Sequence, residues 1–153
     1  ADGENRWANR RAWVAAQLQW LRPDVFGLQE VLPGQKADLA RDLPDYELFG
    51  VGRDDGKDAG EGVPVGYDRQ RFRRVDGGTF WLSETPDVPS TGWDAAYRRI
   101  ATWVRLRSRS EPRQLLVLNT HWDNQGELAR RESARLVSRW LGEHRPDLLV
   151  PTP

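Results

Sequence analysis

The sequence predicts an α/β or α+β layered fold, and three observations carry the prediction. Helix-like and strand-like segments alternate along the chain. The 153 residues suit one domain and are enough to bury a core of its own. No repeat, low-complexity tract or linker divides them. Composition excludes several classes of function. Cysteine is absent, which rules out a disulfide scaffold, a thiolate zinc site and a cysteine nucleophile. Lys+Arg and Asp+Glu both number 23, so the net charge is zero, which argues against gripping a polyanion by bulk charge. No apolar run approaches the ~20 residues of a membrane span, and the first residues do not read as a signal peptide. Lys36 and Lys57 are the only lysines; arginine, which forks onto phosphate and carboxylate, supplies the rest of the positive charge.

In chain order, Trp7, Val14, Leu18 and Leu21 fall on one face of a first helix, which Pro23 ends by forcing the residue before it out of the α region. Val25-Phe26-Gly27-Leu28 is a short buried strand ending at Gln29-Glu30. Pro33 suits the first turn of a second helix, whose face continues through Gln35, Leu39 and Leu43. Tyr46 to Val51 reads as a strand, and Gly52 to Gly62 as a polar, glycine-rich loop without periodicity. Val63 to Tyr67 and Phe72 to Leu82 read as a strand pair joined at Asp68-Arg69-Gln70. Ser83 to Ala96 is longer than an ordinary connection, and loops of that length are often functional. Ile100 to Leu106 and Leu115 to Thr120 form a hairpin about Arg107 to Arg113. Gly126 to His144 is the strongest helix, with Ala129, Ser133, Leu136, Val137, Trp140 and Leu141 on one side. A last strand opens at Asp147-Leu148-Leu149-Val150. Because Ala1 to Glu4 enters a helix without a preceding strand, both ends read as cut.

Three polar residues stand where strands end: Glu30, Glu61 and His121. Such positions either cap and solvate a strand end or carry chemistry, since the sheet fixes them and the loops admit substrate. A carboxylate there suits Mg²⁺, and a second carboxylate bonded to a histidine would orient its ring. Asn119-Thr120-His121-Trp122-Asp123 is denser, and alternation directs Asn119 and His121 to one face and Thr120 to the other. His144, on a polar helix end, reads as solvated. Arg98 and Arg99 open a strand after the long loop, where a solvated charge is the plainer reading and an anion contact the sharper one. Trp13, Trp20 and Trp140 are expected to pack; Trp81, Trp93 and Trp122 flank loops and are placed to line a cleft.

Several segments together resemble the endonuclease/exonuclease/phosphatase superfamily, especially its bacterial branch. They are Pro23-Asp24 through Leu28-Gln29-Glu30, Gly60-Glu61 through Pro64 and Tyr67 to Phe72, Thr79 to Pro86, Gly92 to Ala96, Arg99 to Trp103, and Asn119 to Asp123, in the family's order. The resemblance runs from Glu4 to Val150. It implies a two-sheet α/β sandwich of the DNase I-like type with flanking helices, here a single incomplete domain over 1–153 lacking the first strand and the C-terminal part. It implies Mg²⁺- or Mn²⁺-dependent cleavage of a phosphoester, with nucleic acid among the substrates of the family. Glu30 would be the metal ligand, and His121 the phosphate-facing group, acting protonated with Glu61 as the carboxylate that orients it. Arg99, Asn119 and Trp122 would lie against the substrate. Gly66 replaces a bulkier apolar residue of the family pattern, which reads as a local weakening of its strand. Asn124 stands where the branch commonly has histidine.

The leading reading is therefore a fragment of a metal-dependent phosphoesterase, inactive on its own. A second is a non-catalytic module gripping a ligand with Trp81, Trp93 and Trp122. A third, a glycosidase using Glu30 and Glu61, needs a defined carboxylate spacing and no metal. Nothing in the sequence points to a protein partner.

Overall fold

The structure, a computed structural model, describes residues 3–144. The strand expected over Asp147 to Val150 lies outside the described residues. Nine elements of regular structure follow a 3₁₀ turn at Gly3–Asn5: α1 (Trp7–Leu21), β1 (Val25–Gly27), α2 (Pro33–Asp42), β2 (Tyr46–Phe49), β3 (Val65–Asp68), β4 (Phe72–Trp81), β5 (Ile100–Ser108), β6 (Gln114–Thr120) and α3 (Glu127–His144). They build two antiparallel three-stranded sheets, ordered β1-β3-β2 and β4-β5-β6.

The sheets face each other, and alternation along each strand decides what lies between them. Val65 and Tyr67 of β3 meet Phe72, Val104 and Leu106 of the second sheet, with Val25, Phe49, Leu115 and Val117 around them. The alternate residues face outward onto helices. Phe26, Leu48 and Tyr46 lie under Val14, Ala15, Leu18, Leu39 and Leu43 of the α1–α2 layer. Phe80, Ala101 and Trp103 lie under Val137, Trp140 and Leu141 of α3. The result is a helix/sheet/sheet/helix sandwich, the two-sheet α/β architecture that the resemblance implies.

Four expectations need correction. The segments 63–67 and 72–82 do not pair with each other. Asp68 to Arg71 instead carries the chain from one sheet to the other, and β3 pairs with β1 and β2 while β4 pairs with β5. A hairpin and a sheet-to-sheet crossing share the same turn chemistry, here Asp68 Oδ1 accepting from Gln70 and Arg71, so the turn could not discriminate them. Second, Leu21 is exposed, and Trp13 and Trp20 stand 79% and 80% exposed on the outer face of α1. That helix is held instead by Trp7, Val14 and Leu18 and by polar ties to α2. The Arg11 guanidinium forks onto Asp42 at 2.5 and 2.6 Å and the Trp7 indole N–H donates to Asp38 at 2.8 Å.

Third, Gly66 does not weaken its strand. It faces Phe26 across the β1–β3 ladder, and the Phe26 ring fills the space a Cβ would take. Fourth, His144 is not merely solvated; its ring stacks on Trp140 at 4.1 Å and 11°, with Nδ1 2.8 Å from the Trp140 carbonyl. Trp140 does pack, against Phe80 and Trp103.

The β4–β5 ladder contains one irregularity. Arg74 pairs with Leu106 and Asp76 with Arg105, so Val75 is an extra residue that bulges from the edge of the second sheet.

Because the Phe26 ring occupies the Cβ position of residue 66, Gly66→Ala overpacks a filled site. It should lower the unfolding free energy by about 1–3 kcal/mol, read by urea denaturation; a variant as stable as the parent would show that the ring moves aside freely.

Candidate active site

The ends of β1, β6 and the entrance to β5 converge at one edge of the sandwich, and Asn119 is what draws them together. Its side-chain amide donates to the carbonyls of Leu28 at 2.7 Å and Pro64 at 3.0 Å, and its Oδ1 accepts from the Gln29 amide at 2.9 Å. A Cβ on Gly27 would fall 2.7 Å from the Asn119 carboxamide carbon, so glycine there lets the side chain lie flat across the strand. Asn119 is buried, and its hydrogen bonds run from the second sheet to the first. Thr120 turns the other way and donates to the Ile100 carbonyl at 2.8 Å.

Beyond these strand ends is an open hollow lined by Glu30, Arg53, Glu61, Gly62, Val63, Arg98, Arg99, Ile100 and His121. Glu30, Glu61, Arg99 and His121, singled out from separate stretches of sequence, thus share one surface; Asn119 and Trp122 do not line it. Glu30 follows β1 in the left-handed region, φ 57°, a conformation unfavourable for a side chain with a Cβ. Its carboxylate is 66% exposed. Val31 and Gly62 exchange backbone hydrogen bonds of 3.1 and 2.8 Å, which holds the Glu61 segment beside Glu30. The glycine-rich loop is ordered by its own bonds, Asp55 Oδ1 accepting from Lys57 and Ala59 at 2.8 and 2.9 Å. Trp81 is buried beneath it and donates its indole N–H to the Arg53 carbonyl at 2.7 Å. Burial removes Trp81 from the three tryptophans expected to line a cleft, and none of Trp81, Trp93 and Trp122 lines the hollow.

The partners differ from those the resemblance implies. The Glu61 carboxylate pairs with Arg53 Nη1 at 2.7 Å, and no hydrogen bond joins it to His121. The carboxylate nearest His121 is Glu30, 3.9 Å from Nδ1. The closer neighbour of Nδ1 is Arg99 Nη1 at 3.4 Å. A guanidinium N–H only donates, so this contact suits the tautomer that has Nδ1 as acceptor and its proton on Nε2.

Arg99 is itself anchored. Its Nε donates to Asp123 at 3.1 Å and its Nη2 to Asn124 at 3.2 Å, with both members of the ion pair buried. Burial pushes the Asp123 carboxyl up. The N–H groups of Gly126 and Gln125, the Arg99 guanidinium and the Ala96 N–H outweigh it and hold the carboxyl far below the ordinary range. Asp94, from the long loop, accepts from Leu128 and Ala129 at 3.2 and 2.6 Å and so caps α3. The loop 83–96 is therefore a brace between β4, α3 and the hollow. Arg53, inside the polar loop, is not singled out by the sequence, whereas Arg98, weighed there with Arg99 as a solvated charge or an anion contact, lines the hollow.

Among the described residues no three His, Asp or Glu side chains converge as a metal centre. Glu30 fits as a single hard-oxygen ligand, whereas Glu61 is held by Arg53.

No protein-family model matches the chain. Solved structures do. An endonuclease/exonuclease/phosphatase from Bacteroides vulgatus is 43% identical, with a TM-score of 0.91, over 93% of this chain and 55% of that one. A mannosyl-6-phosphatase from Bacteroides thetaiotaomicron is 42% identical, with a TM-score of 0.88, over 92% of this chain and 53% of that one. An uncharacterised protein of Acanthamoeba polyphaga mimivirus is 25% identical over 82% of this chain and 50% of its own length. The DNA-complexed TDP2 of D. rerio, 19% identical with a TM-score of 0.70, shares the fold alone. Fold and identity together place the chain in the DNase I-like fold class, and over nearly all of its length it is similar to endonuclease/exonuclease/phosphatase proteins. It spans about half the length of these named relatives.

The depressed Asp123 carboxyl generates a prediction. Its contribution to stability is complete above the unfolded-state value of about 3.9 and is lost as pH falls through the lower folded value. Asp123→Asn should cost about 3 kcal/mol or more at neutral pH, because Arg99 is left buried without its counter-charge, and should flatten the acid limb. Urea titrations from neutral to strongly acidic pH will read both; an unchanged acid limb would remove Asp123 from the account.

Proposed function

We propose that the protein containing this chain is a divalent-metal-dependent phosphoester hydrolase whose reacting phosphate sits in the hollow between Glu30, Arg98, Arg99 and His121. The observation that carries the reading is the convergence of these side chains on one surface, in a chain 42–43% identical to named members of a phosphatase and nuclease family. Arginine-lined hollows suit phosphate, because guanidinium groups match its oxygens in charge and geometry.

Each residue then has a role. His121, fixed at Nδ1 by Arg99, presents Nε2–H to a phosphoryl oxygen and stabilises charge that grows there as the bond to the leaving group breaks. Arg99 acts mainly by positioning that ring. Glu61 neutralises Arg53 and keeps it turned along the rim. Glu30 is the ligand this chain offers to Mg²⁺ or Mn²⁺. A bound cation would supply polarisation of the phosphoryl group. The mannosyl-6-phosphatase relative favours a sugar phosphomonoester over nucleic acid as the first substrate to test. The tryptophan-cleft reading loses its basis with Trp81 buried, and the glycosidase reading loses a free Glu61 to Arg53.

The full-length protein should release phosphate from one of a panel of sugar phosphates, an aryl phosphomonoester, an aryl phosphodiester and a single-stranded oligonucleotide. Release should require Mg²⁺ or Mn²⁺ and stop with chelator. No turnover on any of them sinks the proposal. In the active enzyme, His121→Ala should lower kcat by about 10²–10⁴, and a loss below about tenfold would reduce His121 to a structural group. Glu30→Gln should abolish metal-stimulated turnover without altering the melting temperature; retained activity at saturating Mg²⁺ would refute its assignment.

A further inference from the structure

Of the guanidinium groups that line the hollow, that of Arg98 is the one least tied down by the described residues. Of the three arginines lining it, Arg53 is closed against Glu61 at 2.7 Å. Arg99 is distributed over Asp123, His121 and Asn124. Arg98 differs. Its Nε is shielded from solvent and has no hydrogen-bond partner among the described residues. Its Nη1 only approaches Asp54, at 3.5 Å from the carbonyl and 3.6 Å from the carboxylate. A buried N–H without an acceptor is uncommon in folded proteins and marks a place where a ligand or ordered solvent completes the structure. The remainder of the group is partly exposed, on the side where Glu30 and His121 open.

We propose that Arg98 is the substrate anchor of the site. When the loose contact with Asp54 is given up, the side chain turns so that the Nε–H, shielded in this structure, and one Nη–H take two terminal oxygens of the phosphate as a fork. The inference rests on the hydrolase reading above and deepens it by naming the substrate class. A fork needs two oxygens that are both terminal and both charged enough to compete with Asp54. A phosphomonoester carries two negative charges over three equivalent terminal oxygens, whereas a diester carries one charge over two. The dianion puts more charge on each terminal oxygen than the diester does, and so competes better with Asp54 for the guanidinium of Arg98. Arg99, the arginine that the resemblance put against the substrate, is instead the residue that keeps His121 in place.

The test is binding to the whole 153-residue chain, followed by the ¹⁵N signals of the arginine Nε–H groups. Inorganic phosphate should shift, saturably, one signal that is missing from the Arg98→Gln spectrum. Arg98→Gln should weaken phosphate binding by about tenfold or more. Arg98→Lys should recover part of this, because it restores charge without the fork. The exposed Arg139→Gln should change nothing. The unsubstituted chain should bind methyl phosphate more tightly than dimethyl phosphate, and Arg98→Gln should lose that preference. An Arg98 signal that stays still while phosphate saturates, or Arg98→Gln binding within about twofold of the parent, overturns the proposal. If full-length protein hydrolyses phosphoesters and Arg98→Gln leaves both affinity and the monoester preference intact, this inference falls and the hydrolase reading stands. If the unsubstituted chain binds no phosphate and the full-length protein turns over no phosphoester, both fall.

Discussion

The buried ion pair between Arg99 and Asp123 sets the geometry on which the site depends. Removing both charges from water is costly, and the cost is met by crowding donors around the carboxylate: two backbone N–H groups from the turn into α3, one from Ala96, and the guanidinium itself. Those donors come from three parts of the fold. The pair therefore fixes, at one point, the end of the long loop, the start of β5, the segment after β6 and the first turn of α3. His121 inherits its orientation from this arrangement, since the arginine that faces its Nδ1 has no freedom to turn away.

On the other side of the hollow the constraint is backbone strain rather than charge. Glu30 occupies left-handed space because Gln29 is drawn to Asn119 and Val31 is bridged to Gly62. Held at both neighbours, the residue has no extended alternative, and its carboxylate is turned outward beside the imidazole. Asn119 and Trp81 complete the frame from beneath, the first by tying the strand ends of two sheets and the second by holding the carbonyl of Arg53. Neither Asn119 nor Trp81 lines the hollow, yet each determines where a group that does so is found.

Much of this was legible in the sequence. The strand ends at Glu30 and His121, the glycine-rich loop before Glu61 and the amphipathic helix over 127–144 all follow from local pattern, and the structure brings those three residues to one hollow. What local pattern could not supply was partner choice. A glutamate at a strand entrance is equally consistent with a histidine or an arginine partner, and only the folding back of the 52–62 loop decides for Arg53. Trp13 and Trp20 were read as packed because tryptophan is usually buried, but their positions on α1 follow the helical angle away from Val14 and Leu18. Conversely, Gly66 looked like a defect because the ring that fills its space, Phe26, lies forty positions away in the chain and one rung away in the sheet.

The extra residue at Val75 has a bearing on how such a chain stays dispersed. β4 is an outermost strand of ten residues, and a straight strand of that length offers a row of backbone donors and acceptors on which a second molecule can zip. Zero net charge gives no long-range repulsion to prevent this. The kink at Val75 breaks the spacing of the row near its middle, and Arg73, Arg74 and Asp76 surround the break with ionised groups that a partner strand would have to strip of water. Among the described residues, resistance to pairing along β4 is thus local to that strand and would survive substitutions that alter the overall charge.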